Sequence, residues 1–583
     1  MVRASLQNLV LKADIPGLRE LLNRDDSEID INAPDQGGYT PIMRSVANPK
    51  TSIEIVRLLL NHGADIQNWH CIEPGFSANA MVLALGAGNP EIIRLLIEHG
   101  GDVHYQRESG YGAIIDAVHS RDVLRDARLI ELLHLLIEKG AALNCITSYA
   151  ESGLRVLSRI GRFDAVKVLL DAGADPDQLK WTSLMRAIAL GSLSDVRREV
   201  DQHALLEDRD WWMRTAWLIA IQTGDLAKLK LLYAAGSDVR ARGKCGKPPI
   251  FYAIESHHLT VLNWLLEIGT DIEDTDDFGV TPLMNAVENN DLSAVERLVK
   301  AGASLNSKMN EQTALSLART REIAQYLLNA GSDPGDLSFE ARRALLGFEP
   351  EPCGILFDVS PDDFREQWMR RFGVSNPQKF EGRYYQEMVR AGINASQAAE
   401  LFRETVKAGH PVWSAQRFGQ SISFMADGRL IQIGGEHEDH YDSDFCIFND
   451  VFVHHPAGAI EIFGYPEEVF PPTDFHTATV IGGRFIWIIG CLGYYGKRRY
   501  GETPVYRLDT ESYQMEKMRI KGDSPGWIYE HTAKTLSSGV IQLLGGQIVS
   551  LVGNKETHTK NDRFFFLDTE RCVWSRDLIL DHR

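Results

Sequence analysis

The chain has 583 residues, which is too long for one hydrophobic core, so the sequence predicts two to four domains or an extended repeat array. Its 44% hydrophobic and 24% charged residues are typical of a folded, soluble protein rather than a disordered one. The 61 basic and 80 acidic residues give a formal net charge of -19, which disfavours nucleic acid and membrane surfaces as partners.

The sequence lacks the usual signals for secretion, membrane insertion or disulfide formation. Its first 18 residues have neither a sustained apolar core nor a small-residue cleavage site, so we expect a cytoplasmic protein. The longest apolar stretch, from Phe485 to Leu492, is far shorter than the roughly 20 residues that span a bilayer. The seven cysteines are scattered without a CxxC pair, which argues against a disulfide framework and a structural zinc site.

A short glycine-containing phrase recurs through the first 336 residues. It reads HGADI at His62 and returns seven more times, starting at His99, Lys139, Ala172, Ala235, Ile268, Ala301 and Ala330. The step between several copies is about 33 residues. A degenerate copy that begins near Thr182 fills the one long gap. The spacing predicts a solenoid of about ten units, with atypical units at both ends.

The clearest unit, Asp276 to Asn306, resembles the ankyrin repeat. Thr281 and Pro282 suit the start of a helix, where threonine can cap free N–H groups and proline costs no hydrogen bond. Two apolar stripes at helical spacing follow, and Gly302 suits the left-handed residue that ends the second helix. The resemblance implies helix pairs over residues 1–336 whose loop tips and inner helices form a concave, partner-binding surface.

Five aromatic residues are the candidates for partner binding on that surface. Four of them precede a helix start, and the fifth, Phe278, occupies the place that matches Trp212; the five are Tyr39, Trp181, Trp211, Trp212 and Phe278. Exposed aromatic side chains at loop tips would be natural hot spots for a protein partner. The alternative is that they pack into space left by an eroded neighbouring turn, because large apolar residues are more often packed than displayed.

The repeat is lost after residue 336, and residues 337–409 predict a helical connector. A serine cap at Ser360 is followed by proline, early acidic residues and late arginines, and a second helix is expected near Ala395. Several aromatic residues, among them Trp368 and Tyr384, indicate that the connector packs on something. We expect a rigid bracket that lies against the following domain.

Residues 410–583 predict an all-β domain with three internal repeats. Their glycine-rich second strands end at Gly435, Cys491 and Gly546, so the period is about 55 residues. Each is followed by a second pair of strands, and the pattern resembles the kelch motif of β-propellers. That family implies at least about four blades, so the propeller is partial or small. Open sheet edges would permit self-association unless the connector, the repeats or a second chain covers them.

Two histidines occupy the same place in the second and third β-repeats. His476 and His531 fall at the same position of the predicted first strand of their repeats, and Gln420 is the equivalent residue in the first repeat. A residue that recurs at one repeat position is more often structural than catalytic. We therefore interpret both histidines as buried hydrogen-bonding groups, while a joint site remains the alternative.

The loop from Glu436 to Asp444 concentrates charge and is a candidate site with several interpretations. His437 and His440, with Glu436, Asp439 or Asp442, could supply metal ligands. The matching loop of the next repeat is basic, so the acidic and basic loops could pair or frame a charged binding groove. A plain solvated loop is the third possibility. The residues concerned in charge-based binding are Glu438, Asp439, Lys497, Arg498 and Arg499.

No nucleophile elbow, phosphate-binding glycine loop or HExxH motif occurs in the sequence. Two repeat scaffolds in one chain favour binding over catalysis, so we expect no enzyme activity and no cofactor. The leading hypothesis is a cytoplasmic scaffold or adaptor that binds proteins through the concave face and the β-domain loops. The alternative is an enzyme or a receptor for a small ligand or metal on the charged loop face.

Overall fold

The computed structural model describes residues 6–23, 30–35, 37–48, 51–119, 126–345, 359–392, 394–402, 411–437, 445–536 and 539–576. The chain divides into two compact units, Met1–Asn289 and Asn290–Arg583. We call them the N-terminal and C-terminal units.

The N-terminal unit is built from consecutive short helices that follow one another in antiparallel pairs. One β-hairpin, of strands β1 (His70–Glu73) and β2 (Phe76–Ala78), stands between the second and third pairs. Short 3-10 turns cover Pro176–Leu179 and Lys244–Gly246. The helices are α1 (Leu6–Leu11), α2 (Ile15–Leu22), α3 (Pro41–Ala47), α4 (Ile53–Asn61), α5 (Ala80–Ala87), α6 (Pro90–Glu98), α7 (Ala113–Val118), α8 (Arg128–Glu138), α9 (Gly153–Arg159), α10 (Phe163–Asp171), α11 (Ser183–Leu190), α12 (Leu193–Asp201), α13 (Ala216–Thr223), α14 (Leu226–Ala234), α15 (Pro249–Glu255), α16 (Leu259–Glu267) and α17 (Pro282–Glu288).

A recurring threonine caps the start of three of these helices, as the sequence predicts. The Oγ1 atoms of Thr40, Thr182 and Thr281 each accept a hydrogen bond from the backbone N–H three residues later, at 3.4, 3.2 and 3.2 Å. The side chain thereby satisfies an N–H group that has no partner inside the helix. Apolar residues of successive helices then pack into one continuous core that extends along the stack.

A buried arginine, paired locally with an aspartate, joins two parts of the N-terminal unit that are far apart in the sequence. The side chains of Arg214 and Asp210 are each 1% exposed, and their charged atoms lie 2.5 Å apart. Arg214 also donates to the backbone oxygen of Ser158 at 2.6 Å and to its Oγ at 2.5 Å. Because a buried charge is stable only when it is paired and hydrogen-bonded, this network fixes the turn before α13 against α9.

Removing the buried guanidinium of Arg214 should therefore destabilise the protein. We expect Arg214→Met to lower the free energy of unfolding by about 3–5 kcal/mol, since Asp210 would be left buried without its partner. Arg198→Met is the matched control: Arg198 pairs with Asp195 on the surface, so its loss should cost less than about 1 kcal/mol. Urea unfolding of both variants compares the two losses, and similar values would contradict the argument.

The C-terminal unit begins with helices and continues with strands. Its helices are α18 (Leu292–Lys300), α19 (Arg321–Ala330), α20 (Phe339–Leu345), α21 (Pro361–Gln367), α22 (Arg383–Ala391) and α23 (Ala395–Leu401), with a 3-10 turn at Pro334–Asp336. Gly302 follows α18 with a φ of +96°, the left-handed conformation predicted for it. The expected connector helices are present as α21, capped by Ser360, and α23.

Three large sheets form the body of the β-rich region, each built around four antiparallel strands, and the first and third sheets have a fifth strand at one edge. The first sheet contains β4 (Ser421–Phe424), β5 (Leu430–Ile433), β8 (Val451–His454) and β9 (Ile460–Gly464). The second contains β10 (Thr477–Ile481), β11 (Phe485–Ile489), β12 (Val505–Asp509) and β13 (Met515–Lys517). The third contains β16 (Thr532–Thr535), β17 (Val540–Leu544), β20 (Phe565–Asp568) and β21 (Val573–Ser575). Strand β10 contacts both β4 and β16.

Shorter strands complete this region. They are β3 (Gln378–Lys379), β6 (Glu436–His437), β7 (Cys446–Ile447), β14 (Lys521–Gly522), β15 (Trp527–Tyr529), β18 (Gln547–Val552) and β19 (Lys555–Lys560). Strand β18 pairs with β15 and β19 in a separate three-stranded sheet, and β6 pairs with β7. Among the described strands, no sheet closes into a barrel.

The outer edges of the three large sheets are covered from within the chain. Strand β3 pairs with β9, and β14 pairs in parallel with β21. The side chain of Asn376 donates to the backbone oxygen of Met515 and accepts from its N–H, both at 2.8 Å, so it takes the place of a strand beside β13. The expectation that the connector lies against the sheets is confirmed. Self-association through open edges was predicted as a possibility, but β9, β21 and β13 are not open edges, because each has a partner within the chain.

The connector also packs its aromatic residues on the first sheet. Tyr385 lies edge-to-face against Trp413, with ring centroids 4.9 Å apart, and Trp413 contacts Phe452 of β8 at 5.5 Å. The indole N–H of Trp413 donates to Asp450 at 2.8 Å, and Asp450 also pairs with the buried Arg417. A fully buried aromatic cluster thus joins the connector to the sheet, which is the bracket that its composition predicts.

His476 and His531 repeat one contact between neighbouring sheets. The Nε2 of His476 lies 2.7 Å from the hydroxyl of Ser421 at the start of β4, and the Nε2 of His531 lies 2.9 Å from that of Thr477 at the start of β10. Both imidazoles are buried. Burial lowers the pKa of His476 to about 3 and that of His531 to about 4, because the charged form loses its hydration. The structural interpretation of both histidines is confirmed.

The lowered pKa values of His476 and His531 predict that the folded state loses stability in acid. In the unfolded chain a histidine titrates near 6.5, so between about pH 6.5 and 4 the unfolded state binds protons that the native state does not. Stability should therefore fall as the pH is lowered through this range. We expect His476→Gln to lose less thermal stability between pH 7 and pH 5 than the wild type, while the exposed-residue control His104→Gln loses as much. An unchanged pH dependence of His476→Gln would contradict this assignment.

Candidate functional site

A large cleft in the N-terminal unit lies beside the β1–β2 hairpin. It has a volume of about 1410 Å³. The hairpin and the loop before α7 form its walls, while α5 contributes to its floor. A cleft of this size suits an extended segment of another protein better than a small metabolite, because small-ligand pockets are typically about 300–1000 Å³.

The floor of the cleft is made of small residues. Gly86 and Ala87 of α5 line it together with Ala47 of α3. A Cβ atom placed on Gly86 would meet no heavy atom within 4 Å, so the space above this residue is open. The rest of α5 is largely buried on all sides, which holds the floor in place. The cleft therefore has room for a large apolar side chain at its base.

The walls of the cleft are aromatic. Trp69 is 44% exposed and meets Tyr105 edge-to-face, with ring centroids 5.8 Å apart. Phe76 of β2 and Tyr111 contribute two further rings, and Tyr111 also contacts the exposed Tyr149 at 6.1 Å. Partly exposed, rigidly held aromatic rings are typical anchors of protein interfaces because they bury much area at little cost in conformational entropy.

An arginine is built into this aromatic wall. The guanidinium of Arg107 lies 4.3 Å from the centre of the Tyr111 ring and 5.4 Å from that of Phe76. It pairs with Asp116 of α7, which also accepts a hydrogen bond from the Tyr105 hydroxyl at 2.5 Å. Burial raises the pKa of Asp116 to about 6, although Arg107 and the hydrogen bonds oppose that rise. Cation–π contacts and an ion pair thus fix the ring positions.

The surroundings of the cleft are acidic. Between residues 62 and 119 the chain has seven carboxylate side chains and two arginines, with no lysine. Glu108 is exposed on the rim, whereas Arg107 already has Asp116 as its partner. The unbalanced charge near the aromatic wall is therefore negative, and it attracts cationic groups.

The predicted tryptophans lie on other repeats and are partly buried. The guanidinium of Arg155 stacks 3.5 Å from the Trp211 ring. The indole N–H of Trp212 donates to the backbone oxygen of Arg155 at 2.8 Å, and Lys244 lies 5.0 Å from the same ring. Both side chains thus contact other repeats, which is the packing alternative, and both residues remain partly exposed.

The other three aromatic candidates differ from one another. Phe278 is 67% exposed at its loop tip. Tyr39 is half-buried beneath Arg44, whose guanidinium lies 3.8 Å from the ring centre. Trp181 packs against Phe163 with ring centroids 5.9 Å apart. None of the five predicted aromatic residues lines the cleft.

The charged loops of the C-terminal unit are only partly described. Glu438, Asp439, Asp442 and His440 lie outside the described residues, and His437 is buried in β6 opposite Cys446. Arg498 forms a buried ion pair with Glu556 of β19 at 2.6 Å, so its described partner is not the acidic loop. Lys497 and Arg499 are exposed. Within the described ranges, no three His, Cys, Asp or Glu side chains are placed to hold a metal ion.

The sequence did not single out the cleft residues because they depend on a local insertion. Trp69 and Tyr105 occur at similar distances after the glycine phrases of successive repeats, which is a weak signal that they lie together. Phe76 reaches the cleft only because the hairpin folds back, and a hairpin is not part of the repeat pattern. Gly86 looks like an ordinary helix position until the space above it is known.

Comparison with protein families supports the repeat assignment. Residues 37–69 match the family model for an ankyrin repeat, and residues 260–337 match the model for ankyrin repeats in three copies. The chain therefore contains ankyrin repeats, which generally mediate protein–protein interactions. Neither match reaches the strand-rich region, and no curated protein matches the chain. In the part of the chain that the structure describes, every helix is too short or too polar to cross a bilayer.

The open floor gives a direct test of the cleft geometry. We expect Gly86→Ala to raise the free energy of unfolding by about 0.5–1 kcal/mol, because alanine is the better helix former and nothing obstructs its methyl group. Gly86→Leu should also fold. Gly88→Ala is the control: Gly88 has a φ of +71°, so the same change should destabilise the protein. A destabilised Gly86→Ala variant, measured by thermal unfolding, would contradict an open floor.

Proposed function

We propose that this protein is a cytoplasmic adaptor without enzyme activity, which binds a partner protein in the aromatic cleft of its ankyrin repeats. The observation that carries the proposal is the combination of an open floor at Gly86 with the exposed ring of Trp69. Such a cleft accepts one large apolar side chain of a partner, which is how a few anchor residues come to dominate binding.

The charge around the cleft favours a basic partner. Glu108 lies at the rim, and the surrounding repeats have a marked excess of carboxylates. Lysine or arginine beside an apolar anchor would pair with these acids and stack on the face of Trp69. The partner is then an extended segment with a large apolar residue flanked by basic ones.

The β-rich region would supply a second binding surface, which would make the chain a scaffold. Each of its three large sheets contains four antiparallel strands in chain order, and this order and the recurring histidine contact support a kelch-like propeller of small or partial form. In a propeller the loops after equivalent strands emerge on one face, so Lys497 and Arg499 would be available to a different partner.

A peptide-display selection tests the ankyrin part of the proposal. With the full-length chain as bait, we expect enriched peptides to contain a large apolar residue flanked by lysine or arginine. Binding of the best synthetic peptide should weaken at least tenfold in Gly86→Leu, because the leucine fills the floor, and in Trp69→Ala, because the anchor ring is lost.

Phe278→Ala is the control for that experiment, since it removes an exposed aromatic ring at another loop tip. Fluorescence polarisation should give the same affinity for this variant as for the wild type. Equal binding to the wild type and Gly86→Leu, or failure to enrich any common peptide pattern, would overturn the proposed cleft. A loss in Phe278→Ala alone would instead move the site to the tip that the sequence singled out.

A further inference from the structure

A second cleft lies within the β-rich region and is lined by cations. Its volume is about 730 Å³, and loops that follow strands of the second sheet contribute to its walls. Four basic side chains line it: Lys497, Arg499, Lys517 and Arg519. Three carboxylates, those of Glu467, Glu468 and Glu502, line it as well. In a chain with a net charge of -19, a cavity with more cations than carboxylates is a local exception.

The carboxylates neutralise these cations only weakly. The nearest carboxylate oxygens lie 3.9 Å from the Nζ of Lys497 and 4.0 Å from a guanidinium nitrogen of Arg499, and both basic side chains are about 70% exposed. Exposed pairs at such distances contribute little. Lys517 and Arg519 are exposed, and neither has an ion-pair partner within the described ranges. Two of the four cations are therefore available to a ligand.

The two available cations line the same cleft and lie two residues apart in the sequence. Lys517 ends β13, and its backbone is held by pairing with Tyr506 of β12. Arg519 follows in a segment that belongs to no helix or strand. The sheet therefore fixes the backbone from which the Lys517 side chain extends into the cleft lining.

Aromatic side chains line the inner part of the same cleft. Trp527, Trp574 and Tyr506 are buried there. The indole N–H of Trp527 is satisfied by the backbone oxygen of Leu492 at 3.0 Å, and burial raises the pKa of Tyr506 to about 12, so the phenol is neutral. The parts of these rings that line the cleft are apolar, which suits an organic ligand with an anionic end.

We propose that this cleft binds a small organic phosphate with at least two negative charges. The cation pair formed by Lys517 and Arg519 would hold the phosphoryl oxygens, with Lys497 and Arg499 at the rim and the aromatic floor beneath the organic part. Phosphate is favoured over a single carboxylate because it offers three acceptor oxygens and up to two charges to several donors at once. This site is independent of the ankyrin cleft.

Titration calorimetry of the full-length protein with inorganic pyrophosphate tests the assignment. We expect saturable binding that weakens as ionic strength rises, and at least a tenfold loss of affinity in the double variant Lys517→Gln/Arg519→Gln. The matched control is Lys534→Gln/Lys560→Gln, which removes two exposed cations outside the cleft and should bind as the wild type does. Circular dichroism should show that both variants are folded.

Citrate forms the second arm, because it has comparable charge but carries that charge on carboxylates and has no phosphoryl group. Weaker binding of citrate than of pyrophosphate supports recognition of the phosphoryl group. Citrate that binds as tightly as pyrophosphate would overturn that part of the assignment. Absence of pyrophosphate binding, or an equal loss in both double variants, would overturn the site itself.

Discussion

The structure of this protein depends on one constraint: no repeat can bury its apolar face alone. From α1 to α10, apolar residues of successive helix pairs form one core cluster that continues from pair to pair. Local signals then only have to begin and end the helices, which is why Thr40, Thr182 and Thr281 recur as caps. Arg214, whose charge is paired with Asp210, adds a buried link to Ser158, which is 56 residues away in the sequence.

The sheets of the strand-rich region also depend on their neighbours to bury their apolar faces. Here buried hydrogen bonds between sheets accompany the apolar packing. The two buried histidines each join the first strand of one sheet to the next sheet, so the repeat position encodes an inter-sheet contact. Sheet edges must also be covered, because unpaired backbone groups invite pairing with other chains. Here β3 and Asn376 of the connector and the short strand β14 cover them, which gives the connector a structural role beyond that of a linker.

Both candidate sites arise where the repeat pattern is interrupted. The hairpin of β1 and β2 is an insertion in the ankyrin array, and it brings Phe76 to the cleft wall beside Arg107. The basic cleft is lined by the irregular segments around Arg499 and Arg519. Regular repeats provide rigid support, whereas insertions are free to provide specific chemistry. The opposite charge of the two clefts gives the chain two distinct binding preferences.

Periodicity and local capping residues were enough to predict the ankyrin helices, the three β-repeats and the connector. They also predicted the structural role of His476 and His531, because both histidines recur at one repeat position. The sequence also indicated that charge would matter around Lys497 and Arg499. For Trp181 and Tyr39 the sequence left partner binding and packing as alternatives, and the structure shows their rings in contact with Phe163 and Arg44. Three features became visible in the folded chain alone: which aromatic rings share a cleft, the open space above Gly86, and the ion pair of Arg498 with Glu556. Periodicity reports which face of an element is buried, but exposure at a site depends on residues far apart in the chain.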